Sequence, residues 1–438
     1  MTAEIAILNK NGIALAADSA VSIGSPQDTR KIYNSANKLF MLSKYHPVAF
    51  MVYGGGSFVG VPWEILIKEY RAQLEDRSFS TLLEYAEDFW SFTTNNRGIF
   101  SVQEEQKHVL EKIRTRLLSI QNECIESVRN KLETCEDNIT DEDFVSTFIA
   151  TLEEILEAQR AHLESLENLD NFNDEDKRNF IVEYSEHADG QLLGIFENLH
   201  QSIREDLKDR IYEVLALSLI KRDFDQSSGI VFAGYGCDEI YPRVAAYQVG
   251  IMYNGKPRSM FLPGSSTTQA EEFTPSIIPF AQDEVVRTFL TGMDPSFNNI
   301  FNMLQNGLSS VITERLPEDI FGDNAPTDAI KSAIKEHIDN FMQDLNTSLD
   351  NIKRTTVLDP ILEMLEYLPK DELAEMAETL VNLTAFKRKM SNSLESVGGP
   401  IDVAILSKGD GFIWFKRKHY FEPKFNQHYF ANYYNGTK

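Results

Sequence analysis

Cysteine is scarce in this chain: three residues among 438 (Cys124, Cys135, Cys237), with no Cys-x-x-Cys spacing. An odd number spread over so long a chain excludes a disulfide framework and a structural zinc site. Basic residues are also in deficit, 42 Lys and Arg against 67 Asp and Glu, for a formal charge of −25. Nucleic acid needs a basic stripe that displaces counterions, so it is not an expected partner. No window approaches about 18 uninterrupted apolar residues, which excludes a helical membrane span. The N-terminus, Met1-Thr2-Ala3-Glu4-Ile5, lacks the basic and long apolar regions of a secretory signal. A soluble protein of the reducing cytoplasm is expected. The eight histidines form no His-Glu-x-x-His or other close ligand pair, so neither a metal nor an organic cofactor is expected.

What is present is a core-forming composition, 42% hydrophobic and 11% aromatic. From Ile5 to Tyr53 the pattern is of short strands: Ile5 to Leu8, a turn at Asn9-Lys10-Asn11-Gly12, Ile13 to Ala17, Lys38 to Leu42 and Val48 to Tyr53. These runs are apolar on both faces, which predicts strands covered on both sides. After Gly54-Gly55-Gly56 the period becomes helical, near 58–75 and 79–94. A long acidic stretch, 101–225, carries apolar residues at steps of three and four (Val109, Ile113, Leu117, Ile120, Cys124, Val128, Leu132), with Thr140 as an expected N-cap. It reads as a small helical bundle. Strands return at Gly229–Gly234 and Arg243–Tyr253, the latter ending at the turn Asn254-Gly255. Helices follow near 281–292, along the stripe Ile330, Ile334, Ile338, Phe341, Leu345, Leu349, Ile352, and at Asp371–Lys389. Gly398-Gly399-Pro400 then leads into strands Ile401–Leu406 and Phe412–Lys416. A sheet layer covered by helices fits this order.

Most catalytic motifs fail. Gly55-Gly56-Ser57-Phe58-Val59 misses the last glycine of a nucleophile elbow, so Ser57 reads as a helix N-cap. Gly234-Tyr235-Gly236 follows a strand but has no third glycine opening a helix. Thr2 remains. A threonine hydroxyl needs a base, and its own α-amine, with an ordinary pKa of about 7.7–8.0, suits that work if Thr is the first residue. Removal of Met1 alone would expose it.

The ordered segments Thr2-Ala3-Glu4-Ile5-Ala6-Ile7, Gly12-Ile13-Ala14-Leu15-Ala16-Ala17-Asp18-Ser19, Asn37-Lys38-Leu39-Phe40 and Tyr53-Gly54-Gly55-Gly56 resemble the first half of proteasome β subunits and their simpler bacterial relatives, threonine-type N-terminal nucleophile hydrolases. Val231-Phe232-Ala233-Gly234-Tyr235 and Gly398-Gly399-Pro400-Ile401-Asp402-Val403-Ala404-Ile405 with Lys408-Gly409-Asp410-Gly411 resemble later strands of that family. The resemblance implies an α+β fold, a four-layer α/β/β/α sandwich made of 1–100, 226–293 and 357–438, interrupted by helical insertions at 101–225 and 294–356. It implies Thr2 as nucleophile, Lys38 beside it, Asp18 holding Lys38, and the Gly54 N–H as oxyanion donor. Glu395 and Ser396 take the neighbourhood of the family's residues that orient the N-terminus. The family's arginine after the aspartate is Ala20 here, and its Gly-Ser-Gly is replaced by Ala281 between Phe280 and Gln282.

The function so implied is peptide-bond hydrolysis of peptides or unfolded proteins by a homo-oligomer that hides the site, with an ATP-dependent unfoldase as partner. Two other readings stay open: an N-terminal nucleophile amidase for a small amide, and a non-catalytic scaffold. The 101–225 segment is expected to leave from a helical layer, away from the active-site cleft, and to act in assembly.

Overall fold

The computed structural model describes residues 2–23, 31–133, 140–224, 228–267, 273–311, 328–390, 397–419 and 421–434. The chain is mixed α/β, and its two large sheets are antiparallel throughout. One sheet has the order β12-β1-β2-β13-β14, from Ala3–Asn9 (β1), Gly12–Ala17 (β2), Ser276–Ala281 (β12), Asp402–Ser407 (β13) and Gly411–Lys416 (β14). The other has the order β11-β10-β9-β6-β5, from Leu39–Met41 (β5), Val48–Tyr53 (β6), Ser228–Gly234 (β9), Arg243–Tyr253 (β10) and Lys256–Phe261 (β11). Two small hairpins, Val21–Ile23 with Lys31–Tyr33 (β3, β4) and Ser57–Phe58 with Val61–Pro62 (β7, β8), lie outside these sheets.

The period-2 geometry of β1 and β2 sorts their side chains between two cores. Ala6, Leu8, Ile13 and Leu15 face Ala49, Met51, Val231 and Ala233 of the second sheet. Ala3, Ile5, Ile7, Ala14 and Ala16 face the other way, onto Leu373, Ala377, Leu380 and Val381 of the helix Lys370–Met390. The second sheet is covered on its outer face by Trp63–Leu74 (α1) and Leu82–Asn95 (α2), where Trp63, Tyr70 and Phe89 pack on Phe50 and Phe232. Helix, sheet, sheet and helix are therefore stacked in four layers, and both faces of each central strand are apolar because both are covered. Each fully buried Leu or Ile contributes roughly 1.5–3 kcal/mol of burial.

The long acidic stretch folds as four helices, Val102–Glu133 (α3), Asp141–Ser165 (α4), Asp174–Phe196 (α5) and Glu205–Ile220 (α6). The α3 stripe Val109, Ile113, Leu117, Ile120, Cys124, Val128 is buried as its spacing predicts. Thr140 caps α4 by accepting from the Asp143 N–H, with the Asp143 carboxylate returned to the Thr140 N–H. Among the described residues, helices Glu284–Thr291 (α7), Pro295–Ser310 (α8), Asp328–Lys353 (α9), Asp359–Tyr367 (α10), Lys370–Met390 (α11) and Gln427–Tyr434 (α12) follow.

One expectation is corrected, and one strand was not foreseen. Ser57 caps no helix: α1 begins six residues later at Trp63, behind Pro62, and Ser57 sits in the β7–β8 hairpin. Strand β12 was not anticipated, because Pro279 interrupts the apolar run Ile277-Ile278; as an edge strand β12 tolerates that missing N–H. The 101–225 segment lies against the second sheet. Its helices bury Tyr253 and pack on Ile251 and Met260 of β10 and β11, so removing them would strip cover from the second sheet.

Candidate functional site

Thr2 precedes β1 and is buried. Its carbonyl accepts from the Gln282 N–H at 3.1 Å, and Ala281, opposite Ala3 in the β12–β1 register, has a left-handed backbone (φ 60°) that turns the chain there. A non-glycine residue in that conformation costs about 1 kcal/mol or more, so the surrounding sheet must hold it.

Thr2 lies two residues before Glu4, and the alternation of β1 places both on the side that bears Ala6 and Leu8, toward the second sheet. The Thr2 Oγ1 hydroxyl donates to Glu4 Oε2 at 3.0 Å. Glu4 Oε1 lies 3.7 Å from Lys38 Nζ and has no hydrogen-bond partner among the described residues. Lys38 Nζ donates to Asp18 Oδ1 at 2.5 Å, with both side chains buried.

Asp18 directly follows β2 and is saturated with donors. Besides Lys38, its Oδ1 accepts from the Ala3 N–H at 3.1 Å, and its Oδ2 accepts from the N–H groups of Ala20 at 3.2 Å and Gly398 at 2.9 Å. One carboxylate thus ties the start of β1, the end of β2, the approach to β13 and the lysine ahead of β5. The Lys38 carbonyl in turn accepts from the Val52 N–H at 2.9 Å, which sets Lys38 beside the end of β6. Gly54 follows that strand, is exposed, and has φ 85°, a backbone that favours glycine.

Burial decides the electrostatics. The Glu4 carboxyl is pushed up to about 8, chiefly because it is desolvated; Asp18 adds to the rise, while Lys38 and the Thr2 hydroxyl oppose it. Burial also raises the Tyr53 phenol to about 12, with Glu4 adding to the effect. Tyr53 is held by stacking on Phe280 at 5.8 Å and by lying across Gly229, where a Cβ would come within 1.8 Å of its ring.

The structure therefore brings together Thr2, Asp18 and Lys38, with Gly54 at the end of the strand next to Lys38. Glu395 and Ser396 lie outside the described residues, although Gly398, just beyond them, reaches Asp18. Glu4 was missed by sequence reasoning. Its signal was there: a lone carboxylate inside an apolar strand, at the same parity as the inward-facing Ala6 and Leu8. A cavity of about 470 Å³ opens at Gly54 and Gly55, walled by Ser228 and by His108, Glu111 and Lys112 of α3. The α3 helix thus borders a cavity beside Gly54, while Thr2, Asp18 and Lys38 do not line it. No cluster of metal-ligating side chains occurs among the described residues, and no helix among them is long and apolar enough to cross a membrane.

No family model matches the chain, and no curated protein matches it. Several solved structures match, among them two over its whole length. One is a mutant of Anbu from Hyphomicrobium sp. strain MC1, at 10% identity and TM-score 0.28, covering 100% of this chain and 98% of that one. The other is Anbu, an ancestral β-subunit, from Yersinia bercovieri, at 8% identity and TM-score 0.27, covering 100% and 97%. Superpositions this loose carry no argument about kinship or activity. The expectation that the chain is a proteasome β-subunit-like threonine peptidase of the N-terminal nucleophile hydrolase superfamily is accordingly corrected, since its short motifs do not extend to a match with any family model. What the site can do rests on its own geometry.

Proposed function

We propose that this protein hydrolyses amide bonds, peptide bonds foremost, with Thr2 as an N-terminal nucleophile. The observation that carries the reading is the buried set Thr2, Glu4, Lys38, Asp18, in which the only threonine hydroxyl near the chain start is bonded to a carboxyl and flanked by an ion-paired lysine. Thr2 Oγ attacks the scissile carbonyl as a base takes its proton, and removal of Met1 places a free α-amine next to that hydroxyl. Lys38, oriented by Asp18, stabilises negative charge developing on Oγ. The Gly54 N–H stabilises the tetrahedral oxyanion, a role for which an exposed, side-chain-free backbone next to Lys38 is suited. Water then resolves the acyl-threonine ester.

Thr2→Ala is the test, assayed on fluorogenic peptides and on a panel of small acyl amides, with intact mass reporting whether Met1 has left. The expected outcome is a folded variant with hydrolysis reduced at least about 10³-fold. Undiminished hydrolysis by pure Thr2→Ala protein would sink the proposal, and cleavage of acyl amides without peptides would move the substrate class to small amides.

A further inference from the structure

Glu4 is left without a task by the scheme above, although it is the side chain that touches the Thr2 hydroxyl. Its Oε2 accepts from Thr2 Oγ1 at 3.0 Å, its Oε1 has no hydrogen-bond partner among the described residues, and its side chain is sealed from solvent. The titratable groups around it are Lys38 ahead of β5, Asp18 at the end of β2, Tyr53 on β6 and the chain's terminal amine. Opposite it in the two neighbouring strands stand Ala17 and Phe280, which bring no charge. Lys38 gives its short bond to Asp18 and stays 3.7 Å from Glu4, so Asp18 already balances the ammonium.

We propose that Glu4 is a further catalytic residue of the Thr2 centre, a proton carrier whose ionised carboxylate takes the hydroxyl proton. This rests on Thr2 being the nucleophile. As the bond from Thr2 Oγ to the substrate carbonyl carbon forms, the Oγ–H proton moves to Glu4 Oε2. As the carbonyl carbon–nitrogen bond breaks, the same proton passes to the departing nitrogen, leaving an acyl-Thr2 ester, a free amine and Glu4 carboxylate. In the second half, Glu4 takes a proton from the attacking water and returns it to Thr2 Oγ when the ester bond breaks, so no proton or electron is left over. Two carboxyls and one ammonium in a desolvated space leave one carboxyl favoured as the acid, and Glu4 is that one. When protonated it holds the hydroxyl in place without activating it; when ionised it accepts the proton. Burial holds its carboxyl well above the usual carboxylate range, so acylation switches on at a higher pH than an exposed glutamate would allow.

The experiment follows Thr2 acylation by p-nitrophenyl acetate, as the nitrophenolate burst and as added mass on the N-terminal peptide, from pH 5 to 10. Expected for the wild type is a rate that rises about tenfold per pH unit and levels near pH 8. Glu4→Gln should lose about 10²-fold or more at pH 8. Glu4→Asp, which keeps a carboxyl, should recover part of that loss. An α-amine titrates in the same range, so temperature separates the two bases: carboxyl ionisation is nearly athermal, whereas ammonium ionisation is endothermic. A midpoint that stays put on warming supports Glu4, and one that moves to lower pH overturns it, with no variant needed. Glu4→Gln acylated at the wild-type rate and pH profile also overturns the proposal, leaving Thr2 as nucleophile untouched. If Thr2→Ala takes up the acyl group as fast as wild type, the nucleophile assignment falls, and the role of Glu4 falls with it.

Discussion

Carboxylates meet opposite fates in the α3–α6 bundle and at the Thr2 end of the sandwich. In the bundle nearly all of them face water and pair at the surface; Asp176, buried on α5 and 2.8 Å from Lys256, is an exception. Glu154 with Lys131, for example, lies 2.6 Å from it, but the two side chains are 66% and 41% exposed, and such a pair is worth at most about 1 kcal/mol. At the Thr2 end, Glu4 and Asp18 have 0% side-chain exposure around a lysine at 7%. The bundle holds most of the conspicuous acidic runs, yet solvent screens them; the two carboxylates that acquire chemistry stand singly, Glu4 within an apolar strand and Asp18 directly after one. What separates them is the face on which the backbone places them.

The comparison breaks most readily at Lys38. Lys38→Ala removes the cation that two buried carboxyls share, so hydrolysis should fall about 10²–10⁴-fold. The folded state should lose on the order of 3–5 kcal/mol in a denaturant titration, because Asp18 is left buried without its counter-charge. Groups that act as a unit are non-additive, so Lys38→Ala in a Thr2→Ala background should reduce activity little further. Wild-type turnover by Lys38→Ala would remove the distinction between the two regions.

A second effect concerns stability against pH. Glu4 has an ordinary value near 4.5 when unfolded and about 8 when folded, so between those limits the native chain binds the extra proton. Its contribution is therefore fully present below about pH 4.5, is lost as pH rises toward 8, and is flat above, a change on the order of 4–5 kcal/mol. Glu4→Gln should abolish that component, so the stability difference between wild type and variant should shift against wild type by several kcal/mol from pH 5 to pH 8. A difference independent of pH would contradict the burial of Glu4 as a proton-binding group.

The smallest effect sharpens the contrast from the other side. Glu154→Gln, in the bundle, should change stability by less than about 1 kcal/mol and leave hydrolysis unaltered, as chemical denaturation and the peptide assay would show.

Much of this was legible in the sequence where one physical signal dominated. The α3 stripe has a helical period and is buried along it; Asn254-Gly255 has the residues for a tight hairpin and takes positive φ at both positions (51° and 72°). Thr2, Asp18 and Lys38 were named from short motifs and meet in space. Strand β12 escaped notice because a proline broke its pattern, which only its edge position explains. Glu4 escaped because the expected strand began at Ile5, whereas β1 begins at Ala3 and includes it. The packing of the α3–α6 bundle on β10 and β11 escaped because periodicity says which face of a helix is buried and not what buries it. On α9 the same limit shows differently: Phe341 and Ile352 belong to a regular apolar stripe and are nonetheless exposed.

The central claim is that the Thr2 hydroxyl is the group that attacks. Incubating the protein with a reactive β-lactone and mapping the added mass by peptide sequencing tests it most directly. The account predicts one acyl group per chain, on Thr2 of a chain that has lost Met1, absent from Thr2→Ala and greatly slowed in Lys38→Ala. Acylation elsewhere with Thr2 unmodified, or equal labelling of Thr2→Ala, would contradict it.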